Sequence, residues 1–202
     1  MTAIEKKAAA VLGGIAAVEG AWVLVNVHAS PRRFWEWTGF TQPAQAGVAG
    51  WGFALAVAIL YVGYAARLPS VRRNLTSISV LKVLAFAVAL GSAFCEEGIF
   101  RKVVIETLAR HQSGVLLQVA ASALSFGAVH AVWGMIKGSW RASLGAMLAT
   151  GSLGLLLAFV YLSSYRSLAP CVASHFLINL FAEPGLVLAA LSGEMDARHV
   201  RR

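Results

Sequence analysis

The residues best suited to chemistry are two adjacent glutamates and an arginine, Glu96, Glu97 and Arg101, inside an otherwise apolar run reading Ala93-Phe94-Cys95-Glu96-Glu97-Gly98-Ile99-Phe100-Arg101. An ionisable group in a membrane core is costly unless it is paired or hydrated, so a charged pair there demands a reason. Adjacent carboxylates in such a run repel each other and are both desolvated, conditions under which a carboxyl serves as a general base or acid near neutral pH. On a helix, Arg101 lies one turn after Glu97 and can neutralise it, while Glu96 projects about 100° away and stays free for other work. Two further apolar runs are interrupted in the same manner, one by Phe126 and His130, the other by His175 and Asn179. Each of these pairs is four residues apart and shares one helix face. A lone histidine in an apolar helix is ordinarily a satisfied packing residue. Two of them, an asparagine and a double glutamate on three helices point instead to a water-activating peptidase site or a metal site.

Those residues must be positioned by membrane helices. Of the 202 residues 58% are hydrophobic and only 13% charged, where a soluble domain carries roughly a quarter charged residues. The mean hydropathy is +0.71. Six stretches are long and apolar enough to cross a bilayer as helices, running roughly Ala8–His28, Ala46–Ala66, Ile78–Thr107, Val115–Ile136, Ala142–Ser163 and Leu168–Leu191. The expected fold is all-α, a polytopic transmembrane bundle of about six membrane helices forming a single integral membrane domain over residues 1–202. The first stretch reads as an uncleaved helix rather than a signal peptide, because its apolar run is long and carries Glu19. Hairpin geometry sets the depth of the site: Glu97 and His130 lie about 15 and 17 residues on either side of the connector around His111–Gly114, so they meet at nearly one level.

The formal charge of +8 could suggest nucleic acid, but the cations cluster between apolar runs and read as topology determinants facing lipid headgroups. Alternation with an inside N-terminus puts 11 of the 17 Lys and Arg residues inside, Arg198, Arg201 and Arg202 among them, and both termini in the cytoplasm. With that orientation Glu96 lies past the midpoint of its helix, nearer the outer face, which favours an exported substrate. The segment Pro31–Trp37 reads as an interfacial aromatic belt. Cys95 and Cys171 read as packing residues and form no disulfide framework or CxxC metal site. Glu183-Pro184 reads as a break near the end of the sixth helix. Glu19 fits either a bundle contact or a pathway residue.

Taken together, Glu96-Glu97-x-x-x-Arg101, Phe126-x-x-x-His130 and His175-x-x-x-Asn179 resemble the three-motif signature of the CAAX protease and bacteriocin-processing family, also called the abortive-infection family. The motifs occur in order within residues 96–179. The resemblance implies a type II CAAX prenyl endopeptidase-like intramembrane peptidase with its site in a cavity within the membrane. It implies that Glu96, helped by His130, activates a water, that His175 and Asn179 stabilise the tetrahedral oxyanion, and that Glu97 and Arg101 hold the site together, with Phe126 as packing. Glu97 could exchange roles with Glu96. No cofactor is expected; the alternative is a zinc-dependent metalloprotease using the two Glu and two His, against which stand the lack of an HExxH pair and the poor zinc affinity of an asparagine amide. The expected partners are the lipid bilayer and a peptide or protein substrate with a membrane-associated C-terminal or leader segment, and not nucleic acid. The expected location is a bacterial inner membrane. Two rival functions are a non-catalytic immunity or scaffolding protein of the same fold and a proton-coupled transporter, which would call for inverted repeats.

Overall fold

The computed structural model describes residues 1–196 and is entirely helical among them, with α1 (Ala3–Ala29), α2 (Pro31–Thr38), α3 (Gly47–Ala65), α4 (Pro69–Asn74), α5 (Val80–Glu97), α6 (Glu106–Arg110), α7 (Val115–Met135), α8 (Trp140–Ser163) and α9 (Ala169–Ser192). Six helical spans are long and apolar enough to cross a membrane, in agreement with the six stretches read from the sequence. The chain is an all-α, multi-pass integral membrane protein. Arg198, Arg201 and Arg202, which entered the charge count, lie outside the described residues.

Helix starts follow local chemistry. Thr2 and Glu5 form a reciprocal capping box at the head of α1, and the Ser79 and Ser139 hydroxyls accept backbone N–H groups at the heads of α5 and α8. The most enclosed spans are α9 and the one beginning with α5, with 61% and 56% of their apolar windows buried against 11% for α1. All six predicted site residues except His130 lie on these two spans.

Close packing depends on small residues, as expected where lipid gives no hydrophobic drive between helices. The antiparallel pair α7 and α8 meets at Gly127 and Gly134, where an added Cβ would lie 2.5 Å from the Met147 carbonyl oxygen and 2.3 Å from the Ser143 nitrogen. On α5 a Cβ at Gly91 would lie 2.9 Å from the Glu19 Cβ, so the absence of a side chain lets α1 lie against α5. Glu19 there accepts a hydrogen bond from the Ser92 hydroxyl. It is both a bundle contact and, as shown below, a cavity residue.

Three expectations need correction. The stretch after Glu97 is not a continuous α-helix: Gly98–Ile105 is a π-helix that carries Arg101. The proline does not break α9, which runs on to Ser192 with Pro184 inside it. Proline has no N–H to give the carbonyl four residues back, at Leu180, and the Lys82 ammonium supplies the missing donor at 3.0 Å from that oxygen. The aromatic segment is only partly a belt, because Phe34 is buried against Phe94, and Trp37 packs where a Cβ on Gly98 would lie 2.5 Å from its ring.

Candidate active site

Glu96 and Glu97 occupy the last turn of α5, immediately before the π-helix. Insertions of this kind widen a helix locally and are frequent at functional sites. Here the widened turn carries the buried arginine under the site. Arg101 Nε lies 2.9 Å from Glu97 Oε2, and both side chains are fully enclosed. One guanidinium nitrogen donates to the Gly154 carbonyl at 3.4 Å, and the guanidinium carbon sits 4.6 Å from the centroid of the Phe126 ring. Glu97 Oε1 accepts a hydrogen bond from His175 Nδ1 at 2.6 Å. The result is a buried chain from Arg101 through Glu97 to His175, on which the imidazole is fixed in orientation.

Phe126 is the hub of this arrangement. Its ring lies 4.5 Å from that of His130, 5.8 Å from that of His175 and edge-on to Phe100 at 5.2 Å. Packing was the expected role for Phe126, and its ring lies against Arg101 and both histidines.

The other glutamate has different surroundings. Glu96 Oε2 lies 3.5 Å from His130 Nε2 and 3.9 Å from His175 Nε2, and it has no hydrogen-bond partner among the described residues. His130 Nδ1 lies 2.7 Å from the Phe126 carbonyl oxygen. A carbonyl only accepts, so Nδ1 carries the proton, and in the neutral ring Nε2 presents a lone pair. Two acceptors therefore face the same space, and a water there can donate one proton to each. His130 and Glu96, one residue from Glu97, meet at the same depth, as the hairpin arithmetic anticipates.

Glu96, His130, His175 and Asn179 line one cavity of about 770 Å³. Glu97 and Arg101 lie behind it, fully buried. The cavity also takes in residues that the sequence reading did not assign to a site, among them Glu19, Ser92, Tyr61, Glu183, Arg67 and Arg141. A signal for Glu183 was available, since it follows Asn179 by one further turn and continues the His175–Asn179 face.

The cavity runs from the mid-depth Glu96 to the face of the bundle that holds the N-terminus. It is walled by the C-terminal ends of α3, α7 and α9 and the N-terminal half of α8, and it reaches the connector residues Arg67 and Leu68. From Glu96 the lining thus extends toward the N-terminal face of the bundle. At the opposite face the Glu106 carboxylate accepts hydrogen bonds from Tyr161 at 2.7 Å and Arg166 at 3.0 Å, and Arg166 also donates to Gln118 at 3.2 Å. This network ties the end of the π-helix to the connector between α8 and α9.

Among the described residues no group of three or more His, Cys, Asp or Glu side chains is arranged to hold a metal ion. Cys95 and Cys171 are free thiols; Cys171 is fully buried, its Sγ 3.4 Å from the Leu157 carbonyl oxygen.

A sequence model of the family described as type II CAAX prenyl endopeptidase Rce1-like matches residues 78–181. The matched interval is just over half of the chain and contains all six predicted site residues. No match was found among curated proteins or solved structures.

Proposed function

The chain belongs to the type II CAAX prenyl endopeptidase Rce1-like family, a family of membrane peptidases, and on that premise we propose that it hydrolyses a peptide bond with a water activated by Glu96 and His130. The observation that carries this reading is the pair of facing acceptors. Glu96 Oε2 is unpartnered, and His130 Nε2, freed by the bond from Nδ1 to the Phe126 carbonyl, lies 3.5 Å away.

A water on the cavity side of that pair gives one proton to the Glu96 carboxylate as its oxygen attacks the substrate carbonyl. His130 holds the second water proton and orients the lone pair. The tetrahedral oxyanion then accepts from the Asn179 amide and from Nε2–H of a doubly protonated His175, whose charge is balanced by Glu97 on its other nitrogen. The proton on Glu96 passes to the leaving nitrogen, the C–N bond breaks, and the products are a carboxylic acid and an amine. Asn179 is a neutral donor that titration cannot remove. Arg101 acts through Glu97 and is a positioning residue. The reaction is written without a metal.

The orientation with both termini in the cytoplasm is supported by the excess of Lys and Arg on that side. With the cavity lining extending toward the N-terminal face, the proposal has the scissile segment reach the site from the cytoplasmic side, in a bacterial inner membrane.

The test is hydrolysis by the purified protein in ¹⁸O-labelled water, with and without a chelator. One ¹⁸O in the new carboxyl group and unchanged turnover with chelator are expected. Absence of turnover across a broad panel of membrane-associated peptides would favour the non-catalytic reading.

A further inference from the structure

Three carboxyl groups line the cavity at membrane depth: Glu96, Glu19 of α1 and Glu183 of α9. They lie close enough to repel one another, an arrangement that is costly in a membrane core unless a cation offsets it. The chain itself does not provide that cation. His175 lies nearby, but its Nδ1 is engaged by Glu97 at 2.6 Å. Arg67 and Arg141 also line the cavity, yet each lies against the ring of a neighbour, Tyr64 and Trp140, and neither forms an ion pair with these carboxylates among the described residues. The Ser92 hydroxyl donates to one oxygen of Glu19, and Glu183 has no hydrogen bond or ion pair among the described residues.

A separate observation points to a guest with N–H donors. Asn179, one turn before Glu183, is 9% exposed, lines the same cavity and has no hydrogen-bond partner among the described residues. Its N–H groups serve the oxyanion in the reading above, which leaves the buried amide oxygen in need of a donor. The Tyr61 and Tyr64 rings, with centroids 6.1 Å apart, line the cavity as well, and aromatic faces beside carboxylates favour an ammonium or guanidinium group. Depth fixes where that group sits on the substrate. Ser92, which marks the level of Glu19, precedes Glu96 by one turn, or about 6 Å, and Glu183 follows His175 by two turns, or about 12 Å. An extended chain rises roughly 3.3–3.6 Å per residue, and a long basic side chain adds its own reach.

We propose that Glu19 and Glu183 form a cation-recognition site for a lysine or arginine side chain of the substrate, within about two residues of the bond held beside Glu96. This assignment rests on the hydrolytic reading above and adds the substrate class, a peptide with a basic residue next to the cleaved bond. Both carboxyls lie outside residues 78–181, the interval that matches the family, so the preference comes from this chain's own α1 and the last turns of α9. Glu19 and Glu183 set specificity and do not touch the reacting atoms.

The experiment uses the full chain in a neutral maltoside detergent, which carries no amine, so that a lipid headgroup cannot fill the site. One peptide sequence is made with lysine, norleucine or glutamate at each of the two positions on either side of the scissile bond. Binding is measured on Glu96→Gln protein, where the peptide stays intact. At one or more positions lysine should bind at least about tenfold more tightly than norleucine, the range of a charge-assisted hydrogen bond, and glutamate more weakly than either. Glu19→Gln, which keeps an acceptor for Ser92, and Glu183→Gln should each shrink the lysine-to-norleucine ratio, and the two together should bring it to about one. Glu36→Gln, at an exposed carboxylate on α2, should leave the ratio intact. Equal affinity for lysine and norleucine at every position, or a ratio that survives the paired Gln variants, overturns the site. Equal weakening of both peptides in those variants overturns it too, and assigns the two carboxyls to packing of the bundle. Lysine-selective binding without turnover of any peptide by the wild type would uphold the site and count against the hydrolytic reading alone.

Discussion

On one flank of the junction between α5 and the π-helix, the Glu97 carboxylate is wholly enclosed, with Arg101 on one oxygen and His175 on the other. On the other flank, one residue earlier, Glu96 faces the cavity with Oε2 unpartnered and two imidazole nitrogens within 3.9 Å. Two identical side chains thus differ entirely in what they can do. A carboxylate whose oxygens are both engaged can only hold other groups in place, and one with a free lone pair toward a cavity can take a proton. The helical offset of about 100° between neighbours is enough to put one into each environment.

The comparison is broken most severely from the dry side. Arg101→Ala leaves Glu97 buried without its cation, and removing one partner of a buried pair typically costs about 3–5 kcal/mol. Thermal unfolding in detergent should show a large drop, with low yield and loss of activity; an Arg101→Ala protein as stable as wild type would remove the structural role. Asn179→Ala belongs to the wet side and should leave the unfolding temperature near its original value. Its turnover should fall roughly 10²–10³-fold, the range for loss of one oxyanion donor, with KM little changed.

A smaller effect is expected at Lys82. Replacing it with Met leaves the Leu180 carbonyl without the donor that Pro184 cannot supply, at a cost of about 1–3 kcal/mol. In a Pro184→Ala background the backbone N–H returns and the cost should shrink, so unfolding of the two single variants and the double variant reads the coupling directly. Additive losses would show that Lys82 does not serve that carbonyl. The smallest effect concerns Phe126, which touches both flanks. Phe126→Leu keeps apolar volume but removes the ring face beneath Arg101, which is worth about 0.5–2 kcal/mol of stability. A larger loss of activity than of stability would show that the ring also holds His130 in register.

The helices and the candidate site residues were legible in the sequence for the same reason. Polar groups in a membrane span are rare enough that Glu96, His130, His175 and Asn179 stand out against their surroundings, and the four-residue spacings assign them to faces. Three things were not legible. The π-helix at Gly98–Ile105 adds no distinctive residue, since one extra residue in a turn leaves an apolar run looking the same. The continuity of α9 through Pro184 depends on Lys82, about a hundred residues away in sequence. The direction of the cavity depends on where neighbouring helices diverge, which the depth of Glu96 on its own helix does not encode. That is why the depth of Glu96 alone does not give the direction from which a substrate approaches, and why Arg67 and Arg141, read as headgroup contacts, also line the cavity.

The most direct test sets Glu96→Gln beside Glu97→Gln, measuring turnover and unfolding temperature of each in the same membrane mimetic. Glu96→Gln should lose at least the roughly 10²–10⁴-fold in turnover typical of a general base while unfolding at or above the wild-type temperature. Glu97→Gln should unfold at a lower temperature, because Arg101 loses its counter-charge. A Glu96→Gln protein that still turns over at the wild-type rate would contradict the assignment of the base. So would wild-type activity that is abolished by chelator and restored by Zn²⁺, which would make Glu96 and the two histidines metal ligands.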